Sequence, residues 1–251
     1  MKIAGHMSTI SYSNDLDVRH DVDVVVAGGG PAGIAAAVAA AKQGAETLLI
    51  EGHSSFGGMG TAGLVPAFMQ FADGVNFMAG GVGRDVYDRI WQQGAAAPGS
   101  ARDNPQKMVN IRVEALKRIY DAMISDAGAD FLLMTQVIDV KTDGERITHA
   151  VCAAKSGVFA VAAKVFVDCT GDGDLAAWAG APFEKGDDDG NMMPGTLCSI
   201  WADLDWDTIH KSKKWPQAFM PEGIEKGIFS QHDLHLPGFW RVGRNLGGGN
   251  I

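Results

Sequence analysis

Six residues, Gly28-Gly29-Gly30-Pro31-Ala32-Gly33, restrict what this chain can fold into more than any other stretch. They satisfy GxGxxG, follow the valine-dominated run Val22 to Ala27, and open an alanine-rich segment, Ile34 to Ala41. A short apolar run of this kind fits a strand buried on both faces in a parallel sheet. Pro31 suits the first helical position and Gly44 the helix stop. Gly28 permits a tight turn, Gly30 lets backbone approach a bound group, and Gly33 allows a helix to lie close on a strand. Thr47 to Ile50 is a second apolar strand, ending in Glu51, 23 positions after Gly28. A right-handed strand-helix-strand unit is expected.

Charge decides what such a turn holds. The formal net charge of −9 disfavours a nucleic-acid partner, because phosphate neutralisation needs clustered Lys and Arg. An anionic cofactor must then be held by backbone dipoles, and the helix N-terminus beginning at Pro31 and Ala32 supplies orphan N–H groups for a pyrophosphate. Glu51 is placed to accept from both ribose hydroxyls of an adenosine and to repel a 2′-phosphate. Glycine makes up 33 of 251 residues, about 13% against roughly 7% in ordinary chains, and it clusters as expected where backbone approaches a ligand. No apolar run approaches the length of a membrane span, so no membrane partner is expected. Cys152, Cys169 and Cys198 are widely spaced and form no CxxC, which points to free thiols in a reducing, cytoplasmic compartment and to no metal site.

A second glycine cluster follows Glu51 directly: Gly52-His53-Ser54-Ser55-Phe56-Gly57-Gly58-Met59-Gly60-Thr61-Ala62-Gly63. A nicotinamide dehydrogenase, the less favoured alternative, has no need of it, whereas FAD must thread its pyrophosphate and ribityl chain past more bare backbone. The stretch Gly57-Gly58-Met59-Gly60-Thr61-Ala62-Gly63-Leu64-Val65 resembles the GGMxTAGLV segment of the FAD-dependent oxidoreductases, within the glutathione-reductase-like superfamily. Asp168-Cys169-Thr170-Gly171-Asp172-Gly173-Asp174-Leu175-Ala176 and Ala179-Gly180-Ala181-Pro182-Phe183-Glu184 resemble that family's DxTGDGDLA and AGAPFE segments. The resemblance spans about Asp21 to Leu197. It implies FAD as cofactor, a backbone contact from Val137 to adenine, and a nucleotide lining from Thr170, Gly171 and Asp172. Turn and helix-cap chemistry accounts equally well for Asp172 and Asp174.

The fold expected is α/β: a Rossmann-like, doubly wound FAD-binding domain over 21–193, carrying an inserted antiparallel meander over about 131–162. A flexible leader, 1–20, precedes it, and 194–251 reads as the truncated opening of a substrate lobe. Helices are expected over Val82 to Gln92 and Asn110 to Ala127, with Asn110 capping the second and Gly128 ending it. Strands are expected at Phe131 to Met134, Val137 to Val140, Ile147 to Ala153, Val158 to Ala162 and Val165 to Val167, and a helix from Leu175. Gly247-Gly248-Gly249-Asn250-Ile251 is expected to end the chain without a closing element. His232, His235, Arg241 and Arg244 form the dense polar group of the last segment. A proton-transfer or carboxylate-binding role suits these residue types, and ordinary surface-loop chemistry suits them too. The function expected is hydride or electron transfer between FAD and a small organic substrate, with the catalytic residues unassigned. A noncatalytic FAD-binding protein is the alternative. The family's later return to the flavin is missing, so a C-terminal continuation, a second chain or a homo-oligomer is expected to complete the site.

Overall fold

The computed structural model describes residues 10–98, 100–102, 108–193, 195–230, 234 and 238–250. The valine run forms β1 (Val18–Ala27), which starts four residues ahead of the expected Val22 and inside the segment read as a leader. Val18 pairs there with Ala160. Arg19 places its guanidinium 4.4 Å from the centre of the Phe159 ring and donates to Ser156 Oγ at 2.9 Å. These two contacts give the early residues a reason to be strand.

The small-sided segment forms α1 (Pro31–Lys42), and β2 (Thr47–Ile50) returns parallel to β1, from Val24 opposite Thr47 to Ala27 opposite Ile50. A short antiparallel pair, β3 (Ala67–Phe68) and β4 (Val109–Asn110), brackets α2 (Gly81–Gln92) in the chain. Next comes α3 (Val113–Ala127), which begins three residues later than expected. Asn110 does not cap it. Its backbone N–H donates to Ser100 Oγ at 3.0 Å and its side-chain amide to the Arg241 carbonyl at 3.2 Å, so it ties β4 to segments on either side of it in the chain instead. Gly128, at φ +76°, ends α3 in the left-handed conformation that glycine adopts without cost.

Four strands follow: β5 (Asp130–Leu132), β6 (Thr135–Asp143), β7 (Arg146–Ala154) and β8 (Gly157–Asp168). Two expectations change here. The stretch at 131–134 does not open the meander, because α3 acts as a crossover and returns β5 parallel to β2. The strands expected at 158–162 and 165–167 are one strand, β8. It pairs antiparallel with β7 over 157–162 and parallel with β1 over 160–168. The sheet therefore runs β5-β2-β1-β8-β7-β6, with the antiparallel part growing directly from the parallel part.

Side chains alternate between the two faces of this sheet. Val26 and Leu49 point to one side, against Ile34 and Val38 of α1 and Leu116, Ile119, Tyr120 and Met123 of α3. Val25, Leu48 and Ile50 point to the other, against Ala150, Cys152, Phe159 and Val161 of the meander. Helices cover the first face and curled β-structure the second.

Beyond the sheet lie α4 (Asp174–Trp178), β9 (Cys198–Trp201), α5 (Trp206–Ser212), α6 (Met220–Glu225), β10 (Gly238–Arg241) and β11 (Gly247–Asn250). The glycine run expected to end the chain without a closing element is the central strand of an antiparallel sheet ordered β10-β11-β9. Its glycines answer a packing demand. A Cβ on Gly247 would lie 2.5 Å from Phe239, and one on Gly248 would lie 2.5 Å from Pro66. No helix among the described residues is long and apolar enough to cross a membrane.

Gly248→Ala is expected to lower stability by about 1–3 kcal/mol, since Pro66 is ring-locked and cannot swing away. Gly195→Ala, where an added Cβ would meet nothing within 4 Å, should stay within about 0.5 kcal/mol of the parent. Guanidinium unfolding of the two variants checks the contrast.

Candidate functional site

β1, β2, β5 and β8 all run in one direction, so their carboxyl ends open on the same edge of the sheet. The chain leaves β1 toward β2 on one side, while β8 lies on the other side. The gap between β1 and β8 is thus the switch point at which open α/β sheets hold ligands. The GxGxxG turn after β1, Glu51 after β2 and Thr170 after β8 meet there.

Three backbones converge in this gap because side chains are missing. A Cβ on Gly28, which sits at φ +95°, would overlap the Cys169 carbonyl. One on Gly33 would overlap the Gly28 carbonyl oxygen. Gly30 differs, because a Cβ there would meet nothing within 4 Å. That glycine faces open space at the uncapped start of α1, and Pro31 and Ala32 beside it are exposed. An open backbone at a free helix N-terminus suits a phosphate group.

Glu51 is 6% exposed and carries the strongest local chemistry. Its Oε2 accepts from the Gly29 N–H at 2.7 Å. Its Oε1 accepts from the His53 N–H at 2.7 Å and lies 2.8 Å from His53 Nδ1. The backbone is pinned as well, with the Glu51 N–H donating to the Leu132 carbonyl and the Thr135 N–H to the Glu51 carbonyl. A carboxylate held from several sides keeps its orientation when further donors arrive. His53 escaped the reading of the sequence, since a single loop histidine carries no periodic or motif signal.

The second glycine cluster is tied to the first by the Gly57 N–H, which donates to the Gly29 carbonyl at 2.8 Å. Gly57 and Gly58 take left-handed angles, φ +110° and +48°, and lead into a 3-10 turn over Gly58–Gly60. A Cβ on Gly58 would stand 3.0 Å from the Gly30 Cα, so the two loops touch backbone to backbone. Thr61 is buried and donates its hydroxyl to the Phe56 carbonyl at 2.6 Å, while Met59 is 62% exposed. Gly52 lies against Gln136 of β6. Val137 is half-buried on β6, beside an irregularity in the pairing with β7.

After β8 the turn is organised by Asp168. One of its oxygens accepts from the Thr170 N–H at 3.1 Å and hydroxyl at 2.8 Å, and the other from the Ala176 N–H at 3.0 Å. Burial alone would raise its carboxyl, but the donors from Ala176, Thr170 and Leu175 outweigh burial and hold it below the usual range. Asp168 does the work expected of Asp172 or Asp174. Asp172 is exposed and Asp174 already lies in the first turn of α4, preceded by Gly171 at φ +94° and Gly173 at +72°. Burial, then the neighbouring Asp168 charge, pushes the Cys169 thiol up, which leaves it a packing residue.

The polar group of the last segment is not brought to this place as a unit. His232 and His235 lie outside the described residues. Arg241 donates to the Gly243 and Arg244 carbonyls at 3.1 and 2.9 Å, and so braces the turn between β10 and β11. Arg244 is exposed.

Asp168→Asn should cost about 1–2 kcal/mol at neutral pH through weaker N–H acceptance at a half-exposed site. The folded carboxyl titrates below the unfolded one, so its contribution is complete above the unfolded value and disappears as pH falls through the folded value. The stability gap between parent and variant should therefore close as pH drops from 6 to below the ordinary carboxylate range, a trend that urea titrations at several pH values would register.

Comparison with known proteins places this geometry. The model of the family described as FAD dependent oxidoreductase matches residues 23–239. The thiamine thiazole synthase of Methanococcus vannielii is 31% identical over 191 residues, which cover 73% of this chain and 67% of that protein. Among solved structures, the OxyS anhydrotetracycline hydroxylase of Streptomyces rimosus superposes with a TM-score of 0.53 at 14% identity. It covers 92% of this chain and 44% of its own. The p-nitrophenol 4-monooxygenase PnpA of Pseudomonas putida gives 0.52 at 14% identity, over 75% of this chain and 50% of its own. At such identities these two structures share the fold with this chain. The chain spans about half the length of either solved protein or less. Matched by its family model across most of its length, the chain belongs to the FAD dependent oxidoreductase family, and the open Gly30 backbone and buried Glu51 carboxylate fit that family's cofactor.

Proposed function

We propose that this chain holds the ADP half of FAD across the carboxyl ends of β1, β2 and β8, and serves a flavin-dependent oxidation or reduction of a small organic substrate. The observation that carries the reading is the pairing of the open Gly30 backbone with the immobilised Glu51 carboxylate. Gly28, Gly30, Pro31, Ala32 and Gly33 would hold the pyrophosphate through backbone N–H groups and the α1 dipole. Glu51 and Gly52 would take the ribose, and Val137 the adenine. Gly57, Gly58, Met59 and Thr61 would line the chain leading to the flavin ring, with Thr170, Gly171 and Asp172 on the opposite wall. When bound, FAD supplies the redox chemistry, while the protein supplies binding, orientation and electrostatics.

Residues 21–193 form the cofactor domain in this reading, and 194–251 open the lobe that meets the substrate. The three free thiols accord with a reducing, cytoplasmic setting. A second reading, the reaction named for the methanococcal relative, is favoured by 31% identity over 73% of the chain. Anaerobic titration of the flavin-loaded protein with a panel of reductants separates the two. Bleaching by an organic donor supports the first, whereas a thiazole formed in a parallel incubation supplied with sulfur, nitrogen and carbon precursors, without flavin bleaching, supports the second.

The purified protein is expected to be yellow and to release FAD, not FMN, on heating. Glu51→Ala removes charge-assisted bonds worth about 1.5–3 kcal/mol, so FAD affinity should fall roughly tenfold to a hundredfold or more. Calorimetric titration of the apoprotein measures this directly, and an unchanged affinity would remove Glu51 from the site.

A further inference from the structure

A ribose brings two hydroxyls to Glu51, yet little of the carboxylate is left to receive them. An ionised carboxylate accepts at about four lone-pair positions, two on each oxygen. Oε2 already accepts from the Gly29 N–H at 2.7 Å, and Oε1 from the His53 N–H at 2.7 Å. The His53 ring takes a third position, with Nδ1 2.8 Å from Oε1. An ionised carboxylate can only accept, so Nδ1 is the donor in this pair. Both positions on Oε1 are thereby filled, and one on Oε2 stays open. A diol that donates to each oxygen needs an open position on both.

The three contacts differ in how firmly they are fixed. Gly29 is clasped between the two glycine loops, because the Gly57 N–H donates to its carbonyl at 2.8 Å. The His53 backbone is held from the other side by the Met134 N–H, which donates to its carbonyl at 3.0 Å. The imidazole is the loose member. Its side chain is 67% exposed, while the Glu51 side chain beneath it is 7% exposed. The ring thus covers a carboxylate that it can leave by side-chain rotation, with no backbone moving.

We infer that the His53 imidazole stands in for a ribose hydroxyl on Glu51 Oε1 and swings aside when the adenosine of the cofactor docks, so that His53 sets how strongly the site prefers an intact ribose. The inference rests on the ribose role proposed for Glu51. On docking, an N–H donor is exchanged for an O–H donor at the same oxygen, and the two backbone N–H groups keep the carboxylate in place. The second hydroxyl gains little in the parent chain, because its bond replaces one already made. Without the ring it would meet an unfilled acceptor and contribute a full charge-assisted bond.

The test titrates the full chain, freed of flavin, with ADP, 2′-deoxy-ADP and 3′-deoxy-ADP in a calorimeter. The deoxy form that binds the parent more tightly is the one whose remaining hydroxyl uses the open position on Oε2. The parent should prefer ADP over that form by less than about threefold. His53→Ala should tighten ADP by about tenfold, the order of one charge-assisted hydrogen bond, and leave that deoxy form within about twofold of the parent. His53→Asn returns a side-chain N–H donor at the reach of Nδ1 and should restore the parent's small preference. Weaker binding of both nucleotides to His53→Ala would make the ring a brace for Glu51 and overturns the inference, as does an unchanged preference. Glu51→Gln separates this from the underlying reading. If that variant binds all three nucleotides as the parent does, Glu51 holds no ribose and both ideas fall. If it weakens ADP while His53→Ala changes nothing, the role of His53 alone falls.

Discussion

The whole cofactor edge depends on a steric condition, that three backbones occupy a space with no room for a Cβ. The Gly28 carbonyl sits where a side chain on Gly33 would be, and the Cys169 carbonyl where one on Gly28 would be. Close approach of α1 to the sheet follows from this, and the alanines that continue the helix keep the approach close along its length. Replacing either glycine would displace backbone, which is stiffer than any side chain. The later segments inherit their positions from this contact: β8 lies beside β1, and Thr170 and Asp174 lie beside the mouth of the turn.

Electrostatics take over where sterics stop. In an acidic chain, fixed local dipoles are one means of attracting an anion, and the free N-terminus of α1 is such a source. Glu51 stands next to it with the opposite character, a carboxylate acceptor beside a row of donors. Its carboxylate is held through two backbone N–H groups and an imidazole, so few motions remain to be frozen when a ligand arrives. Asp168 shows the same construction on the other wall, where donors from Thr170 and Ala176 turn a half-exposed carboxylate into a brace for the β8–α4 turn.

The cofactor edge was legible in the sequence because its constraints are local. Val22 to Ala27, the GxGxxG turn, the alanine helix and Thr47 to Ile50 each announce themselves within ten or so residues, and β2 and the end of β1 fall where expected. What escaped depends on distant partners. Val18 is strand only because Ala160 is opposite it, and Asn110 does not cap α3 because its pairing with Ala67 draws it into β4, two residues ahead of the helix cap at Arg112. The run at 131–134 has the composition of any short strand, and only the crossover through α3 makes β5 parallel. Gly247 to Gly249 look like a loose end until Phe239 and Pro66 are seen filling the space of their missing side chains. His53 lacked any signal, since its role is set by a neighbouring carboxylate.

The union of meander and cradle in one strand has a temporal consequence. β8 completes the parallel sheet and delivers the Cys169 carbonyl to Gly28, yet Cys169 lies 141 positions after Gly28 in the chain. At about 5–20 residues per second, the ribosome needs roughly 7 to 28 s to make that interval. Throughout it, the valine-rich β1 can have β2 on one side while its other edge stays unpaired, the kind of exposed apolar strand that recruits other chains. The nascent protein thus carries the GxGxxG turn well before the strand that packs against it exists, and the Val22 to Val26 edge stays open to other chains throughout that window.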